Sequence, residues 1–456
     1  MAGMVVKNNM SAINTLNTLN KNHSALAKSL QKVSSGMRIN SAADDASGYA
    51  ISERMRVQIR SLDQDNRNTQ NGNSMMKVAE GAVSSTVEIL KTLKEKVINA
   101  ANDTNTDSDR QQIQKELDQS IDQINDNANV TYNGKYLVDG SHNRKVTGNA
   151  AGTEGTKTHM TNESMSKNTT WDSALTGLKS RSGDALNIHT GDTVTVSVVS
   201  EGKTYTTSFA IESDTAMSDI LEKANNAKCG SEIFSSNTGA AIDTVNVEEE
   251  WNIGSGPSAT MVTTADLGSA LTFHTTAAGV ANQISGFTIC ITDKDGNINK
   301  SANAILDNFN ESIRAQNKSE DNAIVLQTGT KANQAIKIGL TDMRAQALGL
   351  QGADGNTLNV STQKNANAAI NVLDNAIQKA LDQQTTIGAI ESRLEYTSTN
   401  LTTASENVTA SESTIRDADM AKEMTEYTKN NVLLQAAQSM LAQANQNSSS
   451  VLSLLQ

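Results

Sequence analysis

The feature that constrains this chain most is a heptad row of apolar residues near its end. The row consists of Leu373, Ala380, Ile387, Leu394, Leu401, Val408 and Ile415. No proline interrupts it. An apolar residue at every seventh position keeps one stripe of a long helix against a partner helix, with a left-handed supercoil. The sequence therefore predicts one long helix through this row.

The companion row of this helix is mostly polar. It reads Ile377, Gln384, Glu391, Ser398, Ser405 and Glu412. A self-sufficient two-stranded coil fills both rows with apolar side chains. Burial of the apolar row would contribute on the order of 10–20 kcal/mol, whereas ordering the backbone costs at least roughly 50 kcal/mol. Helical hydrogen bonds recover only part of that difference, so the helix needs other helices, from its own chain or from neighbouring chains.

Composition narrows the class of protein. The chain has 456 residues, enough for two to four domains, and only 3% of them are aromatic, which suits long helices packed through aliphatic side chains. A net charge of −12 argues against a nucleic-acid partner, because phosphate binding needs clustered Lys and Arg. No stretch is apolar enough to span a membrane, and the N-terminus lacks the apolar region of a cleavable signal.

Helical patterns fill the first third of the chain. Between Ala12 and Met37, apolar residues recur every three or four positions, which predicts one amphipathic helix. A second long helix is predicted over residues 42–101, with a capping-type start at Ser41 and Asp44. A third helix carries Ile113, Leu117, Ile121 and Ile124.

The middle of the chain has a different pattern. Asn133-Gly134 between β-forming residues predicts a hairpin over residues 130–138. From 141 to 323 the chain is rich in Thr, Ser, Gly and Asn, and alternation around Glu201-Gly202-Lys203 predicts a second hairpin. The other elements predicted are a helix over 213–227, strands over 287–292 and 336–340, and a final helix over 418–455.

The sequence offers no catalytic constellation and no cofactor motif. The run from Asp293 to Asn297 imitates part of a calcium loop, but its twelfth position is Ala304, so it is interpreted as a polar turn. The chain contains no HExxH, GxSxG, P-loop or dinucleotide fingerprint. Cys229 and Cys290 are predicted to be buried thiols, with one disulfide as the alternative. We therefore expect neither an enzyme nor a metal site.

Five runs at the two ends of the chain resemble bacterial flagellin. They are SSGMRINSAADDASGYAISERM (34–55), AEGAV (79–83), STIRDADMAKEM (413–424), LLQAAQSMLAQANQ (433–446) and VLSLL (451–455). They occur in the family's order and cover about 1–140 and 324–456. The resemblance implies an α + β multidomain fold: a long α-helical coiled-coil bundle from both ends with a β-hairpin, and a β-rich outer domain in the middle.

The resemblance also implies three layers and a function. Residues 1–40 with 418–456 would form terminal helices lining the filament core, 41–140 with 324–417 a helical bundle with β-hairpins, and 141–323 a variable surface-exposed domain. The protein would be a structural subunit that polymerises with copies of itself into the flagellar filament for motility. It would leave the cell by type III export and reside in the extracellular flagellum.

Particular residues carry these expectations. The terminal helices bear apolar faces that one chain cannot bury, and order there would come from neighbouring copies. The residues expected to pack in the polymer are Leu16, Leu19, Leu26, Leu30, Val33, Leu433, Leu434, Leu441, Val451 and Leu454. The residues expected in the bundle seam are Leu373, Ile387, Leu394, Leu401, Val408 and Ile415.

The resemblance implies further partners. A cytoplasmic export chaperone would cover the apolar C-terminal segment, and the filament cap and hook-associated proteins would contact the subunit. Stimulatory flagellins present a helical patch to the flagellin-sensing Toll-like receptor. In this chain Thr92 stands at the patch's key arginine position, Lys96 at a leucine position and Glu116 at the matching glutamate. The loss of a guanidinium and the burial of a lysine predict weakened activation.

Two alternatives remain open at this point. A hook–filament junction protein would share similar chain ends, although the intact RINSAADDASG run and the VLSLL end favour the filament subunit. The middle domain could also bind glycans, because a β domain can bind through loops that carry no sequence signature.

Overall fold

A computed structural model describes residues 9–146, 155–227, 234–235, 251–253, 260–262 and 270–453 of the chain. The chain divides into two compact units. The first unit comprises Met1–Thr69, Gln327–Gln334 and Tyr396–Gln456, and the second comprises Gln70–Leu326 and Ala335–Glu395. Two of the boundaries therefore fall within long helices, and the other two fall between residues 326 and 335.

Long helices dominate both ends of the described chain. The helices are α1 (Met10–Ser35), α2 (Ala46–Ala101), α3 (Asp107–Ala128), α4 (Met217–Ala227), α5 (Lys300–Leu306), α6 (Ala345–Leu348), α7 (Gln363–Arg416) and α8 (Met420–Ser453). The single long helix predicted from the heptad row is confirmed as α7. Gly36 ends α1 with φ of 70°, a left-handed conformation that suits glycine.

Two predicted helix starts lie a few residues too early. The Asp44 carboxylate accepts hydrogen bonds from the amides of Asn40 and Ser41, which closes a turn and holds the pKa of Asp44 below its usual value. Asp45 then accepts a hydrogen bond from the amide of Gly48, and α2 begins at Ala46. In the same way α4 begins at Met217 rather than at residue 213, because the preceding residues form a polar turn.

Short strands connect and follow the helices. They are β1 (Thr131–Tyr132), β2 (Lys135–Tyr136), β3 (His159–Asn162), β4 (Thr193–Ser200), β5 (Lys203–Ala210), β6 (Phe234–Ser235), β7 (Trp251–Ile253), β8 (Thr260–Val262), β9 (Leu271–Thr275), β10 (Ile284–Thr292), β11 (Asn310–Ile313), β12 (Ile324–Gln327) and β13 (Ala335–Ile338). Two antiparallel sheets organise the middle region, in the orders β10-β4-β5 and β11-β3-β9-β6. The pairs β1-β2, β7-β8 and β12-β13 form two-stranded ribbons.

Both predicted hairpins are present. Asn133 and Gly134 have φ of 50° and 77°, and Glu201 and Gly202 have φ of 54° and 71°. Positive φ at both central residues is the two-residue turn that matches strand twist. Lys203 already pairs with Ser200 as the first residue of β5, so the second turn is shorter than the sequence suggested.

The second unit contains two apolar cores. The first core joins α2, α3 and α7 through residues such as Leu90, Ile121 and Leu373. The second core lies between the sheets of the middle region, where Phe273, Phe287 and Phe309 meet with ring centroids 4.9–5.4 Å apart. A chain with few aromatic residues thus concentrates three of its five phenylalanines at one point.

Strand β10 lies directly against α7. The amide groups of Asn371 and Asn375 donate to the main-chain oxygens of Phe287 and Ser285 at 3.4 and 3.0 Å. Gly286 lies between Ser285 and Phe287. Its backbone approaches α7 so closely that an added Cβ would lie 2.6 Å from Val372 Cγ2. A side chain at position 286 would therefore force the strand away from the helix.

Candidate polymerisation surface

Helices α1 and α8 pack as an antiparallel pair in the first unit. Asn9 caps α1 by accepting from the amide of Ala12 at 3.0 Å, and its own side-chain amide donates to the Ala444 carbonyl at 3.1 Å. At the opposite end of the pair, Lys32 lies 3.4 Å from the Glu423 carboxylate. The two helices are thus held at both ends by polar contacts.

The apolar residues predicted for polymerisation fall into two groups on this pair. Leu19, Leu26 and Val33 of α1 are half-buried, as are Leu434 and Leu441 of α8. Among the described side chains of α1 and α8, only Ser29 and Ala437 are buried. The inner face of the pair is therefore narrow.

The second group is exposed. Leu16 and Leu30 of α1 are 45% and 52% exposed, and Leu433 of α8 is 42% exposed. Their exposed apolar neighbours are Ile13, Val432 and Met440, at 45%, 59% and 62%. Water contacts a large share of the aliphatic surface here, which costs free energy until another apolar surface covers it.

Two predicted residues lie partly or wholly outside the described residues. Val451 belongs to α8, but its side chain is not described, and Leu454 follows the last described residue. Cys229 also falls outside, whereas Cys290 is a free, half-buried thiol whose pKa is raised by burial.

The predicted bundle seam is buried along most of its length. In the second unit Leu373, Ile387 and Leu394 are fully buried. In the first unit Leu401 is 9% exposed, and Val408 and Ile415 are only half-buried. The heptad row therefore changes its degree of burial along one continuous helix.

The polar companion row makes side-chain hydrogen bonds in the first unit. Ser398 donates to Asn66 Oδ1 at 2.7 Å, and Ser405 donates to Asp63 at 3.1 Å. In the second unit the Oε1 atom of Glu391 is buried without a described partner. Burial and the nearby charge of Glu80 raise the pKa of Glu391.

Sequence reasoning missed the contacts that Arg416 makes with Tyr49, Ser52 and Glu53 near the junction of α7 and α8, called here the Arg416 clasp. Arg416 is 5% exposed, and its Nη1 donates to Glu53 at 2.6 Å and to Ser52 at 3.4 Å. The guanidinium also lies over the Tyr49 ring, 5.4 Å from its centroid. The hydrogen bond from Arg416 holds the pKa of the Glu53 carboxyl below its usual value. Arg416 is a basic residue in the last turn of α7, a position typical of a helix end, but nothing local in the sequence points to Glu53 as its partner.

Backbone pairing reinforces this junction. The Arg38 amide donates to the Arg416 carbonyl at 2.7 Å, and the Ala418 amide donates to the Gly36 carbonyl at 2.9 Å. The segment after α1 and the segment before α8 therefore form a short antiparallel bridge, Met37 opposite Asp417. The α1–α8 pair therefore starts at a junction that is held by backbone hydrogen bonds.

The three residues of the predicted receptor patch lie in the second unit. Lys96 Nζ is 3.1 Å from the Glu116 carboxylate, so the structure brings these two together across α2 and α3. The Thr92 hydroxyl donates to the Glu88 carbonyl one turn earlier at 3.0 Å. Thr92 is exposed, and its hydroxyl hydrogen bond stays within α2.

Titratable residues elsewhere form no metal-binding arrangement among the described residues. His159 of β3 is fully buried and lies opposite His274 of β9, with ring centroids 5.3 Å apart. Burial, followed by the charges of His274 and Lys157, lowers the pKa of His159 to about 3. A histidine in this state is neutral and contributes to strand packing.

No helix among the described residues has the length and apolar character of a membrane span.

Comparisons with known proteins agree with this arrangement. Residues 6–143 match the bacterial flagellin N-terminal helical region, and residues 370–455 match the bacterial flagellin C-terminal helical region. A flagellin of Clostridium tyrobutyricum is 33% identical over 97% of this chain and 99% of its own. A flagellin of Bacillus subtilis is 29% identical over 99% of this chain and 100% of its own.

Among solved structures, FliC of Burkholderia pseudomallei covers 71% of this chain and 99% of its own, at 18% identity and a TM-score of 0.25. That score is too low to support an argument, and the assignment rests on the sequence matches at both ends and along the full length. The chain belongs to the bacterial flagellin family, and it is a structural subunit of the extracellular flagellar filament.

Proposed function

We propose that the α1–α8 pair is the surface through which this flagellin polymerises. The observation that carries the proposal is the set of exposed aliphatic residues on both helices, with Leu16, Leu30 and Leu433 each more than 40% exposed. A pair of helices with so narrow an inner face buries little apolar surface by itself. Neighbouring copies of the chain supply the missing cover, with residues 1–40 and 418–456 lining the core of the filament.

Seeded elongation tests this proposal. The double variant Leu16→Lys/Leu30→Lys places two charges on the outer face of α1 while leaving the α1–α8 hydrogen bonds intact. Loss of two leucine contacts should slow growth on filament fragments at least about tenfold, measured by light scattering and electron microscopy.

The control is Ile298→Lys in the middle region, where an isoleucine is 59% exposed. This variant should elongate at the unmodified rate. Normal elongation of the α1 double variant, or equal slowing of the Ile298 variant, would contradict the assignment of the surface.

We further propose that a cytoplasmic export chaperone covers α8 before type III export. The exposed residues Val432, Leu433 and Met440 are the support, because such a surface promotes aggregation in an unassembled subunit. The cap and hook-associated proteins are its other flagellar partners, and no nucleic acid or membrane is expected. Leu433→Lys should weaken binding to the organism's own flagellar chaperone in titration calorimetry, and Ile298→Lys should not.

Weakened activation of the flagellin-sensing Toll-like receptor is a separate proposal. Lys96 neutralises Glu116 at 3.1 Å and places a charged stem where a leucine would pack. The variant Thr92→Arg/Lys96→Leu should raise potency in a receptor reporter assay, and Lys91→Gln should not. Full potency of the unmodified protein, unchanged in the double variant, would reject the proposal.

We infer that the chain has no catalytic activity. Several of its charged residues pair with one another at helix surfaces and junctions, as Arg416 does with Glu53 and Lys96 with Glu116. A subunit whose charges are used in this way serves assembly.

A further inference from the structure

A cavity of about 280 Å³ lies within the second unit, where three chain segments meet α7. Its walls are residues 314–322, the loop after β2 and the loop before α6, and Lys379 of α7 completes the lining. The volume is close to the lower end of that of small-molecule sites.

A buried ion pair borders the cavity at Lys379. Lys379 and Glu311 form an ion pair of 3.0 Å, with side chains 6% and 3% exposed. Lys379 Nζ also donates to Gln283 Oε1 at 3.3 Å, and the Gln283 amide donates in turn to the Gln346 carbonyl. An ammonium has three N–H donors. Since Glu311 and Gln283 use two among the described residues, the third is left for a group inside the cavity.

Three further cations line the walls. Arg314, Lys318 and Arg344 pair with Asp382, Glu320 and Asp342 respectively. The carboxylates that hold Arg314 and Lys379 do not themselves line the cavity. A guanidinium carries five donors, and the ion pair of Arg314 engages its Nη2. Glu320 and Asp342 also line the cavity, so its walls carry four cations against two carboxylates, in a chain whose net charge is −12.

The remaining lining restricts the ligand. Ser141, Asn143 and Thr341 contribute polar side chains, and Val280 and Met343 supply a small apolar part. The Ser141 and Thr341 hydroxyls donate to Asp139 and Gln383, so they offer a ligand acceptor lone pairs. Among the described lining residues none is aromatic. We propose that the cavity binds a monosaccharide-sized organic anion that carries one carboxylate and several hydroxyls, a uronate. Its carboxylate takes the donors of Lys379, Arg314 and Lys318, because charge-assisted hydrogen bonds are the strong ones.

Titration calorimetry on the full-length monomer tests this site. The probes are D-glucuronate, D-glucose and inorganic phosphate. Glucuronate should bind in a one-to-one ratio with a Kd in the range of about 0.1–1 mM. Its affinity should fall with added salt, as expected for a charge-dependent contact. Glucose and phosphate should bind at least about tenfold more weakly, because each lacks half of the matching groups.

The variant Arg314→Gln/Lys318→Gln should weaken glucuronate binding at least about tenfold. Lys91→Gln removes an ion-paired surface lysine that does not line the cavity, and it should leave binding unchanged. Thermal unfolding of each variant checks that the fold is kept, and the salt dependence of the unmodified protein needs no variant. Absence of glucuronate binding, equal binding of glucose, or stronger binding of phosphate would each overturn the proposal.

Discussion

Helix α7 in the second unit and the α1–α8 pair in the first unit follow the same apolar periodicity with opposite results. Around Leu373 and Ile387 the row is fully buried because α2, α3 and several loops join one core. On the α1–α8 pair, Leu16 and Leu30 stay exposed because a second helix covers only one side. The comparison shows that a heptad pattern sets which face is apolar, while the number of neighbours decides whether that face is satisfied.

The largest expected effect tests the two ends of one row. Leu373→Ala in the second unit should lower the free energy of unfolding by about 2–5 kcal/mol, because a fully buried leucine leaves a cavity. Val408→Ala in the half-buried part should cost less than about 1 kcal/mol. Guanidinium unfolding followed by far-UV circular dichroism measures both. Equal losses at the two positions would break the comparison.

The next-largest effect tests how much the Arg416 clasp stabilises the first unit. Arg416→Met should cost about 2–4 kcal/mol, since it removes a buried guanidinium and strands its hydrogen-bond partners. Amide hydrogen exchange should quicken throughout α1 and α8. Arg67→Met, at an exposed position of α2, should have little effect. Unchanged exchange in the Arg416 variant would show that apolar contacts suffice to hold the pair.

A pH effect should appear in the densely packed second unit. Burial raises the pKa of Asp307 from 3.8 to about 6. Its ionised form is therefore disfavoured in the folded state, and this penalty is absent below pH 3.8 and complete above about pH 6. Asp307→Asn keeps an oxygen for the Ile289 amide and Asn371, and should raise stability at pH 7 by up to about 3 kcal/mol.

Tryptophan fluorescence, which reports on buried Trp171, follows this transition. The gain should shrink as pH falls from 6 towards 3.8. Asp295→Asn, in an exposed turn, is the control and should show no such dependence. A gain in the Asp307 variant that is the same at pH 4 and pH 7 would exclude ionisation as its cause.

The smallest expected effect concerns an ion pair on the outside of the bundle. Lys96 and Glu116 are 41% and 50% exposed, and water screens their attraction. Lys96→Gln should lower the free energy of unfolding by less than about 1 kcal/mol. A larger loss in chemical denaturation would mean that surface pairs contribute to the bundle as its buried row does.

Periodicity was enough to predict the long helices, because a seam of apolar residues such as that from Leu373 to Ile415 is typical of one regular structure. The short helices α5 and α6 carry too few turns for such a pattern and were not predicted. Asn133-Gly134 likewise predicted its hairpin from turn chemistry alone. The fraction of each seam residue that stays exposed was beyond the sequence, since Leu373 and Val408 occupy the same heptad position and differ only in their surroundings.

The Arg416 clasp was also beyond the sequence. Its partner Glu53 is 363 positions away, and no local pattern marks the pairing. The same holds for Lys379 and Glu311, where burial of both charges depends on loops from the middle region. Contacts between distant polar residues carry little periodic signal, although the Arg416 contacts join the end of α7 to the start of α2.

The contact of β10 with α7 has a consequence for which substitutions β10 tolerates. Asn371 and Asn375 grip main-chain oxygens, and Gly286 contributes only backbone to the approach. This part of the contact requires nothing of the β10 side chains except that residue 286 lacks a Cβ. At positions 285 and 287 the identity of the β10 residue can therefore drift without loss of its hydrogen bond to α7, whereas position 286 is closed to every residue that has a Cβ.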